Sequence, residues 1–222
     1  MRWSPDPRRP DRALDRTAAY AAAALVALGL VAAAGYLVLQ HRFAGGDAFA
    51  ACRRGGPVTG TAAIGGPFTL TNGAGARVTA AEVITRPTLL YFGYSFCPDF
   101  CPTDLARNAA AVDILEERGV DAGLVFVTID PARDTPEIAS EYAAYIHPEM
   151  IGLSGSPEDI AAAAEAYRVY FRKAGDDPAL YLMDHSTLTY LVAPGHPFLE
   201  FYPSDATPEE IAESVACYAE RL

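Results

Sequence analysis

With 222 residues, the chain has room for one ordinary domain plus appendages, and a domain of that size buries a real core. At 51% hydrophobic and 20% charged residues the composition is globular, but the formal charge of −11 is unevenly spread: residues 1–40 hold five arginines and three acids, a net of +2, so the remainder carries −13. So acidic a body repels phosphate backbones, which excludes nucleic acid as a partner and leaves a basic protein or a metal ion as easier company.

Residues 18–39 contain no charged side chain. A bilayer core needs about 20 apolar helical residues, so this stretch predicts a transmembrane helix. Leu25, Val26, Leu28, Leu30, Val31, Leu37, Val38 and Leu39 supply its hydrophobicity, and Tyr20 and Tyr36 sit near its ends as interfacial aromatics do. Arg2, Arg8, Arg9, Arg12 and Arg16 precede it, whereas His41 and Arg42 follow closely. The positive-inside rule then keeps the N-terminus in the cytoplasm and exports the body, to the periplasm of a bacterial inner membrane. A cleaved signal peptide is the rival, since Ala48-Phe49-Ala50 resembles a small-x-small site, and Phe49-Ala50-Ala51-Cys52 faintly resembles a lipoprotein acceptor. The apolar run exceeds the roughly 7–15 residues of a signal, which favours an uncleaved anchor; each alternative exports the body. The expected division is a tail over 1–17, a transmembrane helix over 18–39, a glycine- and alanine-rich tether over 40–66, and a folded domain over 67–222.

Within that domain, Phe68-Thr69-Leu70, the Asn72-Gly73 turn and Val78 predict a short hairpin. Thr88 to Phe92 is an apolar run of strand length, consistent with a central buried strand. Asp104 to Arg118 reads as a helix ended by Gly119, and Leu124 to Ile129 as a second buried strand. Asp134-Thr135-Pro136-Glu137 opens a helix to about Ile146 with a capping side chain and a first-turn proline. A strand from Met150 to Leu153, a helix from Pro157 to Phe171, strands over 187–192 and 198–202 paired across Pro194-Gly195, and a helix opened by Thr207-Pro208 complete the chain. Alternating strands and helices, then a hairpin and a helix, predict an α/β fold with a mixed central sheet flanked by helices.

Four cysteines are too few for a disulfide scaffold, and the close pair Cys97 and Cys101 points to redox or metal chemistry. Their segment, Gly93-Tyr94-Ser95-Phe96-Cys97-Pro98-Asp99-Phe100-Cys101-Pro102, joins a buried strand to a helix. Pro102 fits the first turn of that helix, which makes Cys101 the expected cap and puts Cys97 in the entry loop. Backbone N–H groups and the positive end of the helix dipole then favour thiolate at both sulfurs, partly opposed by Asp99 and Asp104. The position is similar to that of the thioredoxin cysteines, with one residue more between them. The wider spacing lets two sulfurs chelate one ion while still permitting a disulfide.

Gly93 to Pro102, Ile129 to Pro136, Tyr167-Arg168-Val169-Tyr170-Phe171 and Asp184-His185-Ser186 occur in the order seen in the Sco/SenC family, which the chain resembles over roughly residues 60–220. The resemblance implies a membrane-tethered, thioredoxin-like copper chaperone that helps to assemble the binuclear copper site of cytochrome c oxidase. It implies Cys97 and Cys101 as thiolate ligands of copper, His185 as the imidazole ligand, and the oxidase copper-site subunit or another copper chaperone as partner. Phe96 and Ala193 depart from the usual family residues at positions that are not ligands.

From separation along the chain a ligand histidine cannot be recognised, and a lone histidine reads first as a structural hydrogen-bonder. His41 lies at the membrane edge, His147 at a helix end as a cap, and His196 in an exposed turn. His185 lies on a loop beginning near Lys173 that could close over the cysteines, with Asp184 as a candidate for orienting its ring and Met183 as core filling. Asp130, Arg133 and Asp134 read as caps and local ion pairs, and Tyr167, Tyr170 and Phe171 as a helical core face. Cys217 falls opposite the stripe of Ile211, Val215, Tyr218 and Leu222, where an exposed thiol in an oxidising compartment finds a partner; Cys52 is the candidate. Two functions from other classes use the same cysteines: a thiol–disulfide oxidoreductase or thiol peroxidase, and a redox or copper sensor.

Overall fold

The computed structural model describes residues 12–43, 48–53, 64–175, 177 and 180–222; parts of the expected tail and tether lie outside the described residues. The chain divides into two units, Met1–Ala48 and Phe49–Leu222. Among the described residues, the first holds the helix α1 (Arg12–Phe43). Its stretch Ala19–Val38 has a mean hydropathy of 2.2 and buries nothing within the protein. At 1.5 Å per residue such a stretch spans about 30 Å, the thickness of a bilayer core.

The second unit runs β1 (Thr69–Asn72), β2 (Arg77–Thr79), α2 (Ala80–Val83), β3 (Thr88–Gly93), α3 (Phe100–Glu117), β4 (Gly123–Thr128), α4 (Pro136–Ile146) and β5 (Ile151–Ser154). It continues with α5 (Pro157–Ala166), β6 (Phe171–Ala174), β7 (Leu182–His185), β8 (Thr189–Ala193), β9 (His196–Tyr202) and α6 (Pro208–Ala219). Seven strands form one sheet in the order β2-β1-β5-β4-β3-β8-β9. Its centre is parallel, β3 with β4 and β4 with β5, and antiparallel strands flank that centre on both sides. Every residue of β3 and β4 is buried, as a strand covered on both faces requires. Burying each large apolar side chain here contributes about 1.5–3 kcal/mol, so these two strands anchor the core. The second sheet is a separate two-stranded arm, β6 with β7.

Three helices start in the same way. Thr135, Ser156 and Thr207 each accept a hydrogen bond from a first-turn N–H (Ile138, Asp159 and Glu210), and a proline follows each cap. Such a cap is worth about 1 kcal/mol, and proline there forfeits no bond because that N–H has no helical acceptor.

Around the body of the fold the structure departs from expectation in several places. Helix α5 stops at Ala166, short of Phe171, because Arg168 takes a left-handed φ of 57° and the Val169 N–H closes on the Ala164 carbonyl at 2.8 Å. The aromatics beyond it therefore share no helical face: Tyr167 is buried, Tyr170 is 56% exposed, and Phe171 opens β6. Helix α2 was not legible in the sequence; Glu82 accepts from the Thr79 N–H and starts it. Residues 49–53 and 64–66, expected in the tether, lie in the compact unit. The Phe49 ring lies 5.2 Å from that of His196 and 5.3 Å from that of Tyr218, so His196 is half-buried rather than exposed. Leu222 is exposed, leaving Ile211, Val215 and Tyr218 as the buried stripe of α6. Cys52 and Cys217 form a disulfide, as expected, which leaves Cys52 no thiol to lipidate.

Candidate metal centre

Strand β3 delivers the chain to the top of the sheet at Gly93, and the loop 94–99 carries Cys97 into α3. A Cβ on Gly93 would stand 2.9 Å from the Cys101 sulfur and 2.8 Å from the Tyr91 ring, so glycine is what lets that sulfur lie over the strand end. The helix begins at Phe100, one residue before Cys101, and Asp99 makes no side-chain cap. The acceptor is a sulfur instead: the Cys101 N–H donates to Cys97 Sγ at 3.4 Å. Cys101 is therefore inside the first turn rather than at its cap, and Pro102 stays within the turn as expected.

Both cysteines are free thiols, Cys97 half-buried and Cys101 fully buried. Their protons are held differently, contrary to the expectation of two thiolates. The hydrogen bond from Cys101, with the backbone N–H groups of residues 99 and 101, holds Cys97 down to about 4. The same sulfur–sulfur hydrogen bond and its burial push the Cys101 thiol well above its ordinary value. The pair thus keeps one proton between two sulfurs.

His185 closes the site from the far side of the chain. It ends β7 on the arm, not on an unstructured loop, and its Nε2 lies 3.4 Å from Cys101 Sγ. Nδ1 sits 2.8 Å from the Ser186 carbonyl oxygen. A carbonyl only accepts, so Nδ1 carries a proton, and Nε2 is the nitrogen that faces the sulfurs. Asp184, expected to orient the ring, pairs instead with Arg172 at 2.9 Å, because successive residues of a strand face opposite sides. Tyr94 and Tyr91 set their rings edge-on to the imidazole at centroid distances of 5.8 and 6.4 Å. The donor atoms of Cys97, Cys101 and His185 all lie within 4.8 Å of one another.

Buried carboxylates brace the loop. Asp134 accepts from the Ser95 N–H at 2.9 Å, from the Ser95 hydroxyl, and from Thr128 Oγ1 at 2.7 Å. Asp104 accepts from the Tyr91 hydroxyl at 3.0 Å and pairs with Arg107. From the sequence Asp134 is a helix cap and Tyr91 a core strand residue, and no local signal distinguishes these longer-range roles. Of the other candidates, His147 caps α4 and lies 3.2 Å from Asp113, while Met183 packs on the core as expected.

A family model described as SCO1/SenC matches residues 56–220. The chain belongs to the SCO1/SenC family. Protein SenC of Rhodobacter capsulatus is 52% identical over 211 residues, 93% of this chain and 92% of the relative. The crystal structure of Arabidopsis thaliana ScoI with copper bound superposes with a TM-score of 0.67 at 42% identity, over 71% of this chain and 99% of that one. Bradyrhizobium japonicum ScoI with copper bound gives a TM-score of 0.64 at 38% identity, over 70% of this chain and 99% of that one. The expected thioredoxin-like fold, a mixed sheet flanked by helices, is thus shared with these Sco proteins. In this SCO1/SenC chain, as in the resemblance read from the sequence, the strand-to-helix loop and the motif around His185 meet at one place.

Proposed function

We propose that the chain is a copper metallochaperone: Cys97, Cys101 and His185 hold the ion, and the protein passes it to the binuclear copper site of cytochrome c oxidase or to another chaperone. The observation that carries this is the convergence of two sulfurs and one imidazole nitrogen within 4.8 Å. Metal–thiolate and metal–imidazole bonds of about 2.0–2.3 Å place three donors roughly 4 Å apart around one ion, so small shifts suffice to seat it. Soft sulfur suits Cu(I) and imidazole suits both oxidation states, which matches a carrier that handles either. The site favours the thiolate at Cys97, His185 turns Nε2 toward the sulfurs, and Cys101, held toward the thiol, would lose its proton on loading. The solved relatives with copper bound support the choice of metal.

Helix α1 would anchor the protein in the bacterial inner membrane, with residues 1–17 cytoplasmic, the span at 18–39, and the body periplasmic beyond a tether. The apolar stretch Ala19–Val38 and the arginines before it support that orientation.

A thiol–disulfide oxidoreductase needs the two cysteines but not the histidine. Copper stoichiometry and affinity of the wild type and His185→Ala, set beside disulfide-reductase turnover, separate the two. Weakened copper binding without turnover is the expected result; unchanged binding with rapid turnover would replace the carrier with an enzyme. Copper content of the oxidase in a deletion strain tests the recipient.

A further inference from the structure

The centre is assembled from two pieces of chain 84 residues apart, the cysteine loop and the arm, and the arm's strands pair only with each other, outside the main sheet. Something must hold the arm at the cysteines before any ion is bound. Tyr94 of the loop already lies edge-on to His185, and a side chain from outside both pieces reaches each of them. Arg133, in the turn between β4 and α4, stacks its guanidinium 3.7 Å from the ring centroid of Tyr181, the residue that leads into β7. The same group lies 4.8 Å from the ring centroid of Phe96, beside Cys97, and 5.7 Å from that of Tyr94, whose ring edges onto His185. Arg133 Nη1 donates to the Tyr181 carbonyl at 2.9 Å, and Nε pairs with Asp130. Asp130 in turn accepts from the Tyr181 hydroxyl at 2.8 Å, so the arm is gripped at both its backbone and its ring. Only 14% of the arginine side chain is exposed. Its buried Nη2 has no hydrogen-bond partner among the described residues, which fits a group held by ring faces rather than by acceptors.

We propose that Arg133 is a positioning residue that clamps the His185 arm to the cysteine loop, and so sets whether an ion meets two sulfurs alone or two sulfurs and a nitrogen. The coordination half of this rests on the copper-carrier function proposed above; the clamping half does not.

The test uses the full chain in detergent with Arg133→Met, Arg133→Lys and Tyr181→Leu. In metal-free protein, amide hydrogen exchange across Leu182–His185 is expected to quicken about tenfold in Arg133→Met, the scale of one cation–π contact and a charged hydrogen bond. Arg133→Lys, which keeps the charge but loses the planar fork, recovers part of the protection. Tyr181→Leu removes the ring and hydroxyl half of the grip and leaves the backbone carbonyl and the Arg133–Asp130 pair in place, so it carries the test if Arg133→Met fails to fold. With Cu(II), the electron paramagnetic spectrum of Arg133→Met shifts toward that of His185→Ala, and the double variant shifts no further. Unchanged exchange over 182–185 in both Arg133→Met and Tyr181→Leu overturns the clamp. An additive effect in the double variant overturns its action through His185. A wild type that takes up no copper overturns the carrier function, while exchange in the metal-free protein still decides the clamp.

Discussion

The folded body holds two cysteine pairs with opposite fates. Cys52 and Cys217 are 165 residues apart and bonded; Cys97 and Cys101 are four apart, in contact, and unbonded. Nearness along the chain therefore decides nothing. What differs is the company each pair keeps. Cys52 is buried in a turn whose Phe49 packs against α6, and joining it to Cys217 fastens that turn to the same helix. Around Cys97 a neighbouring thiol and the N–H groups of a helix terminus favour the thiolate, and an imidazole nitrogen lies 3.4 Å from the Cys101 sulfur. One pair is a staple and the other a mouth.

The sharpest way to break this contrast is to remove a sulfur from the mouth. Cys97→Ser or Cys101→Ser is expected to weaken copper binding by more than about 100-fold, beyond what the loss of a mere supporting group costs. Circular dichroism should show the fold unchanged, and competition titration reads the affinity. Next in size is the staple. Cys52→Ala with Cys217→Ala removes a closure of 165 residues, which is worth about 2–5 kcal/mol and lowers the melting temperature by roughly 5–15 °C. Copper affinity measured on the same variant should not move; a large loss would mean that the two pairs are coupled. His185→Ala sharpens the picture of the mouth itself. Cu(II) affinity is expected to fall about 10–100-fold and Cu(I) affinity only several-fold, since two thiolates suffice for the softer ion.

The smallest effect is the most diagnostic of shared protons. In the metal-free, reduced protein, alkylation of Cys97 should keep its rate as pH falls from 8 to about 5 and drop only near its folded value of about 4. An ordinary thiol would slow about tenfold per unit below its pKa of about 8.5. Because the folded value lies below the unfolded one, this thiolate stabilises the fold in full above about 8.5, and that contribution fades as pH falls toward about 4. Cys101, shifted the other way, should stay unreactive throughout, and equal labelling of both sulfurs would remove the distinction between them.

Local physics made much of this legible before any coordinates. Apolar runs of five and six residues became the buried strands β3 and β4, and Thr-Pro and Ser-Pro dipeptides opened α4, α5 and α6, because a cap and a proline act within one turn. The partner of Cys217 was legible for a different reason: helical periodicity turned it away from the apolar stripe. Where expectation failed, a distant group had intervened. The α3 start moved because a sulfur, not a side-chain oxygen, took the helix N–H. Asp184 lost its assigned part to Arg172, while Asp130 and Arg133 form the expected local ion pair and, with Asp134, also brace the centre instead of capping a helix.

By itself the sequence determined the order of most strands and helices, though not α2 or the β6–β7 arm, together with the apolar N-terminal stretch and, through a family likeness in short motifs, three candidate donors. Tertiary structure alone decided that those donors meet, which sulfur keeps the proton, and which nitrogen of His185 faces them. The physical reason is range. Capping, periodicity and hydropathy act over a few neighbouring residues, whereas a metal centre is a property of atoms brought together across 84 positions of chain.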